Sequence, residues 1–162
     1  MQILMFRHAE KQNAFREDPP LSPRGQAQAQ SLVQRFPTGS LPGPILLFSS
    51  PKQRAQETLQ PLSRAWRMEV KIRPELDERH SPESASQFVE RIQQFLRTIE
   101  SQKDTAQTVV FVSHSDWIAE ALILIPAAQD LTHEKYRWWN PAQSMHFDLQ
   151  EGLWHLREFT KP

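Results

Sequence analysis

"TVVFVSHSDWIAEALILI", residues 108–125, decides how this chain folds. Thr108 to Val112 are all β-branched or aromatic and show no polar alternation, as expected of a strand covered on both faces. The segment "SHSDWIAEALILI" follows with no loop between and reads as a helix. A buried strand running straight into a helix is the building unit of a layered α/β fold.

The same unit recurs on either side. "QILMF" (2–6) is a second unalternating apolar run, and "LSPRGQAQAQSLVQRF" (21–36) is its helix, with Ser22 as N-cap and Pro23 at the first helical position. "ILLF" (45–48) precedes "SSPKQRAQETLQPLSRAW" (49–66), where Ser50 reads as the cap and Pro51 as the first helical residue. Ala55, Leu59, Leu62 and Trp66 fall at helical spacing, and Pro61 is expected to kink or split this helix. "MEVKI" (68–72) alternates like a strand. Between Glu83 and Glu100, Phe88, Ile92, Phe95, Leu96 and Ile99 mark one face of an amphipathic helix. "SMHFDL" (144–149) and "LWHLREF" (153–159) flank "QEG" and read as a hairpin. The expectation is an α/β fold of three layers, with a mainly parallel central sheet, helices on both faces and a C-terminal hairpin. The turn-rich loop 37–44 is too short to divide it, so residues 1–162 read as a single domain.

Composition narrows the function. Lys+Arg and Asp+Glu each number 19, a zero net charge that argues against an electrostatic nucleic-acid binder. The chain has no cysteine, which excludes disulfides, thiolate metal sites and a cysteine nucleophile. The longest apolar piece, "ALILIPAA" (121–128), is interrupted by Pro126, and Arg7 interrupts any signal-like start. A cytoplasmic protein with no membrane association is expected. His80, His133, His146 and His155 lack metal-ligand spacing and read as surface or hairpin residues. Trp138 and Trp139 suit packing better than a substrate mouth.

In parallel sheets, ligands bind beyond the carboxyl ends of strands. Arg7 and His8 follow the first strand, Ser49 and Ser50 the second, and Ser113 and His114 the "TVVFV" strand. Arg54 falls in the first turn of the helix after the second strand. Two arginines, two imidazoles and a helix N-terminus make an anion-selecting rim suited to a phosphoryl group. The scattered cations Lys11, Arg16, Arg24 and Lys52 either form a solvated rim or meet an anionic substrate.

"LMFRHAEK", "LSPRGQAQAQ", "SSPKQRAQETLQPL", "ELDERHSPES" and "VVFVSHSDWI" together resemble the ordered motifs of the histidine phosphatase superfamily, which includes cofactor-dependent phosphoglycerate mutases and small phosphohistidine phosphatases. "NPAQSMHFDL" to "LWHLREF" is similar to the family's closing segment. The resemblance implies that His8 is the nucleophile that takes the phosphoryl group. It implies that Arg7, Arg54 and His114 hold and neutralise the phosphate, with His114 also part of the catalytic set. It points to Glu78 as the acid, against the rivals Glu75, Asp77, Glu83 and Asp116, and to Arg79 as a substrate contact. Ser115 offers a backbone N–H. No cofactor or metal is implied.

The chain departs from the family pattern at Ala9 and Ser115, where glycine is usual, and at Lys11. Asp116 brings negative charge near the phosphate. The chemistry asks for a His8 whose other ring nitrogen is held by a backbone carbonyl, and for an acid whose pKa burial raises. The reading is a metal-independent phosphatase acting on a phosphorylated small molecule or phosphoprotein. Its rivals are a mutase, which "LDERH" favours, and a non-catalytic phosphate-binding module.

Overall fold

The computed structural model describes residues 1–13 and 15–160. Strands and helices alternate as β1 (Gln2–Arg7), α1 (Pro23–Arg35), β2 (Ile45–Ser49), α2 (Gln53–Trp66), β3 (Val70–Ile72), α3 (Ala85–Ser101), β4 (Thr108–Ser113), α4 (Ser115–Leu124), β5 (Ser144–Gln150) and β6 (Leu153–Thr160). The six strands form one sheet in the order β3-β2-β4-β1-β5-β6. β1, β2, β3 and β4 run parallel, while β5 and β6 are the antiparallel hairpin at one edge.

The unalternating strands are explained by cover on both faces. Leu4 and Phe6 of β1, with Val110 and Val112 of β4, pack on Leu32 of α1 and Leu59 and Leu62 of α2. Their neighbours Ile3, Met5, Val109 and Phe111 point the other way, onto Phe95 of α3 and Trp117 of α4. Side chains alternate across a strand, so an all-apolar run feeds two cores at once. Among the described residues, no helix is long and apolar enough to cross a membrane.

Three local expectations are corrected. α2 begins at Gln53, not after Ser50, and its N-cap Lys52 makes no side-chain capping bond. The Ser50 hydroxyl meets His114 at 2.7 Å and accepts from the Lys52 N–H at 3.2 Å, just outside the helix, while the Asp18 carboxylate accepts from the Gln53 N–H at 2.8 Å. Pro61 does not split α2; the buried stripe Ala55, Leu59, Leu62 and Trp66 spans both sides of it and holds the helix against the sheet. The strand expected over 68–72 pairs only from Val70. Ser22 does cap α1, accepting from the Gly25 N–H at 3.0 Å, with Pro23 at the helix start.

Gly25 is where α1 meets the chain just past His8. A Cβ there would stand 1.9 Å from the Glu10 carbonyl oxygen, a backbone atom that already accepts from the Ser22 N–H at 2.8 Å. Gly25→Ala is therefore expected to destabilise by about 1–3 kcal/mol through overpacking and to lower activity by shifting the loop after His8. A urea midpoint equal to wild type would mean that this loop yields freely.

Candidate active site

The strand ends come into line. Arg7 is in register with Ser113, and Ser49 with Val112, so β1, β2 and β4 deliver their following residues to one rim. His8 is buried there, its N–H donating to the Ser113 carbonyl at 3.0 Å. Its Nδ1 lies 2.7 Å from the Ala9 carbonyl oxygen. A carbonyl only accepts, so Nδ1 carries the proton and Nε2 keeps its lone pair. Thr58 Oγ1 accepts from the Ala9 N–H at 2.9 Å and donates to the Arg54 carbonyl at 2.7 Å, which ties the loop to α2.

His114 stands with its ring centroid 5.2 Å from that of His8. Arg54 Nη2 lies 3.3 Å from its Nδ1, and Ser50 Oγ lies 2.7 Å from its Nε2. A guanidinium only donates, so His114 is protonated on Nε2, which donates to Ser50. Burial, first, and the nearby Arg54 and Arg7 charges push the His8 pKa down to about 4. Burial, then His8 and Arg54, push that of His114 to about 2. Both imidazoles stay neutral through the physiological range.

A stability prediction follows from these shifts. The unfolded chain's histidines take protons below pH 6.5 that the folded His8 and His114 refuse, so the unfolded state binds more protons there. The His8 share is complete above pH 6.5 and is lost as pH falls towards 4, on the order of 3 kcal/mol, while the His114 share goes on falling towards pH 2. Urea titrations across that window measure the slope, and His8→Ala is expected to flatten it.

One cation is as deep as the imidazoles, while Arg7 is half-buried. Arg54 is 1% exposed. Its guanidinium meets Glu78 Oε2 at 2.6 Å and Asp18 Oδ1 at 3.3 Å. Arg7 Nη1 donates to the Trp139 carbonyl. The Nε atoms of both arginines are buried without a hydrogen-bond partner. Buried donors are normally satisfied, so two orphan N–H groups at one rim ask for an acceptor.

Two acids share the rim. Asp77 Oδ1 is 3.7 Å from His114 Nε2 and receives the Ser50 hydroxyl at 3.4 Å and the Glu78 N–H at 2.9 Å. Lys52 Nζ lies 3.9 Å from Asp77 and 3.8 Å from Glu78. Burial raises the pKa of Asp77. For Glu78, burial also pushes upward, but the hydrogen bond and charge of Arg54, with Lys52 and Lys11, outweigh it, and the net shift is down. That corrects the expectation of a raised acid: an arginine on the carboxylate overrides partial burial.

Of the rival acids, Asp77 stays at the rim, Glu75 keeps a buried Oε2 with no partner among the described residues, and the other two are engaged elsewhere. Glu83 pairs with Arg91 at 2.8 Å, and Asp116 Oδ2 accepts from the Arg79 N–H at 2.8 Å. Asp116 thereby ties to the loop that carries Glu78, and its charge also acts on Arg7. Arg79 turns outward, its Nε reaching the Glu83 carbonyl at 3.4 Å. Ser115 opens α4 directly after His114, and no side chain caps that helix. Trp139 is buried against Phe159, whereas Trp138 is exposed. Sequence reasoning missed Asp18 as a site residue and took Ser50, at the rim, for a helix cap rather than a partner of His114. Asp18 lies in the loop before α1, where no periodicity marks it.

The family model of the histidine phosphatase superfamily, branch 1, matches residues 3–82, the half of the chain that holds Arg7, His8, Arg54 and Glu78. This chain belongs to that superfamily. No curated protein sequence matches significantly. Among solved structures, the histidine phosphatase fold here is similar to the alpha-ribazole phosphatase from Shigella flexneri (20% identity, TM-score 0.76, 99% of this chain and 96% of that one). It is also similar to the phosphoserine phosphatase from Entamoeba histolytica in complex with 3-phosphoglyceric acid (19% identity, TM-score 0.75, 99% and 97%). The protein histidine phosphatase SixA complexed with tungstate is a third (17% identity, TM-score 0.70, 100% and 97%). The sheet and its helices are thus those of phosphoglycerate mutase-like proteins, and His114 lies beyond the matched residues.

Proposed function

We propose that this protein is a phosphatase that carries the phosphoryl group on Nε2 of His8, acting on a phosphomonoester or a phosphorylated protein side chain. One observation carries the reading. The His8 Nδ1–H is tied to the Ala9 carbonyl at 2.7 Å, leaving Nε2 as a nucleophile beside the buried Arg54 and the half-buried Arg7, whose buried Nε–H groups lack acceptors among the described residues. Relatives in fold whose names describe phosphatases of a small ester and of protein histidine agree with either substrate class.

Nε2 attacks phosphorus, a P–N bond forms, and the P–O ester bond breaks. The leaving oxygen takes a proton from Glu78. Water then attacks the phosphohistidine, gives a proton to the Glu78 carboxylate, and inorganic phosphate leaves with His8 restored. Arg7 and Arg54 balance the charge of the transferring group, which is the main demand of phosphoryl transfer. Substrate arriving on Arg54 displaces Glu78 from it, and that frees the carboxylate to pick up the proton it donates. Glu78 is 34% exposed, so the leaving group meets it at the surface, as a large substrate requires.

The test is release of inorganic phosphate from an activated aryl phosphate in the presence of chelator, with acid-labile, alkali-stable label trapped on the wild type. Sustained release with label supports the reading. Exchange of phosphate between positions of one substrate with little release would make it a mutase. Phosphate binding with no label would make it a binding module, a reading that the negative charge of Asp116 near Arg7 still favours.

A further inference from the structure

Glu78 lies in a segment with little regular structure of its own. After β3 the chain makes one short 3-10 turn, Pro74–Leu76, and then runs extended through Asp77. Its carbonyls are satisfied largely by side chains from elsewhere. Ser113 Oγ donates to the Leu76 carbonyl and Trp117 Nε1 to that of Glu75, both at 2.7 Å. The remaining carbonyls converge on one residue of α3.

Arg91 Nη1 donates to the carbonyls of Pro74 at 3.2 Å, Glu75 at 3.1 Å and Asp77 at 2.8 Å. Its Nη2 donates to the Glu78 carbonyl at 3.2 Å and to Glu83 Oε2 at 2.8 Å. Its Nε donates to Glu83 Oε1 at 2.8 Å. All three nitrogens are engaged, the Glu83 pair is bidentate, and the guanidinium carbon sits 5.0 Å from the centre of the Phe88 ring, whose residue is buried in the core. A planar fork with five donors suits such a set of acceptors; an ammonium with three does not. Glu83 serves to aim the fork, and α3 anchors it in the core.

We infer that Arg91 is a positioning residue for proton donation, fixing the 74–78 backbone so that Glu78 meets the leaving oxygen; this rests on the reading of Glu78 as the acid. Arg91 touches no reacting atom, so it acts only through Glu78. Its effect then depends on how much the leaving group needs a proton. A nitrophenolate leaves readily without one, and an alkoxide does not.

The experiment compares kcat and KM for the full chain on 4-nitrophenyl phosphate and on a simple alkyl phosphate. Arg91→Lys is expected to lower kcat on the alkyl ester about 10- to 100-fold and on the aryl ester less than about threefold, with KM little changed, since an acid contributes on the order of 10²–10⁴. Glu78→Gln is expected to give the same leaving-group pattern, and Arg91→Lys to add little in that background. Glu83→Gln is a milder form of the same defect. Partial unfolding lowers both substrates equally, so the ratio separates positioning from stability. Equal losses on both esters, no loss on the alkyl ester, or full additivity with Glu78→Gln would overturn the inference. A wild type inactive on both esters, or His8→Ala as active as wild type, overturns the reading of the site and the clamp with it.

Discussion

His8→Ala is expected to abolish phosphate release, with kcat falling by about 10⁴-fold or more, because the nucleophile of a covalent route has no substitute in the site. His114 is close, but its two ring nitrogens are engaged by Arg54 and Ser50. The variant should fold. Among the described residues, the side-chain hydrogen bond lost is that from Nδ1 to the Ala9 carbonyl of the adjacent residue, while the backbone bonds to Ser113 and from Ala142 remain. Its phosphate affinity should stay within a few-fold of wild type, since Arg7 and Arg54 are untouched. Measured kcat on an aryl phosphate, with phosphate binding by calorimetry, checks both parts. Retention of even a tenth of the activity would mean that the phosphoryl group passes directly to water.

Arg54→Ala carries the second large effect, a fall in kcat/KM of about 10³-fold, at the upper end of what one charge-stabilising donor contributes. Three partners lose it together: Glu78 Oε2, Asp18 Oδ1 and His114 Nδ1. Its removal also moves Glu78 in a stated direction. The Arg54 hydrogen bond and charge are what hold that carboxylate low, and without them burial prevails over the more distant Lys52 and Lys11. The Glu78 pKa therefore rises, and the stability it lends above the unfolded carboxyl pKa, normally lost as pH falls through its lowered value, shrinks. Carbon NMR of the Glu78 carboxyl reads the shift directly. A Glu78 pKa unchanged in Arg54→Ala would show that the ion pair does not set its charge. Arg54→Lys should recover little, because one ammonium cannot reach Glu78, Asp18 and His114 together.

Much of the site is legible before folding because function here lies where strands stop. Arg7 and His8, Ser50, and His114 each follow an apolar run at once, and parallel strands in register must bring such ends to one rim. The order of the sheet matters: β4 lies between β1 and β2, so His114 falls between the residues delivered by its neighbours although it is distant from both in sequence. The fold class is legible for a related reason. The runs in β1 and β4 lack alternation because each serves two cores, and a two-sided core requires helices on both faces.

What proved illegible depends on pairwise geometry. Ser50 followed by Pro51 looks like a helix cap, yet its hydroxyl meets His114 and the Lys52 N–H, and the helix starts later under Asp18. The charge of Asp116 looked hostile to phosphate; its carboxylate accepts from the Arg79 N–H, and its charge also acts on Arg7. Glu78 was expected to be a raised acid, and Arg54 lowers it instead.

The sequence by itself determined the α/β layering, the strand ends that bear His8 and His114, and the residue types fit for phosphoryl chemistry. Those properties follow from spacing and side-chain identity, which act over a few residues. Only the tertiary structure decided which acid meets Arg54, which nitrogen of each histidine is free, and that Arg91 holds the segment bearing Glu78. Hydrogen bonds and ion pairs act over a few ångströms, so they are settled only once distant stretches of chain are packed side by side.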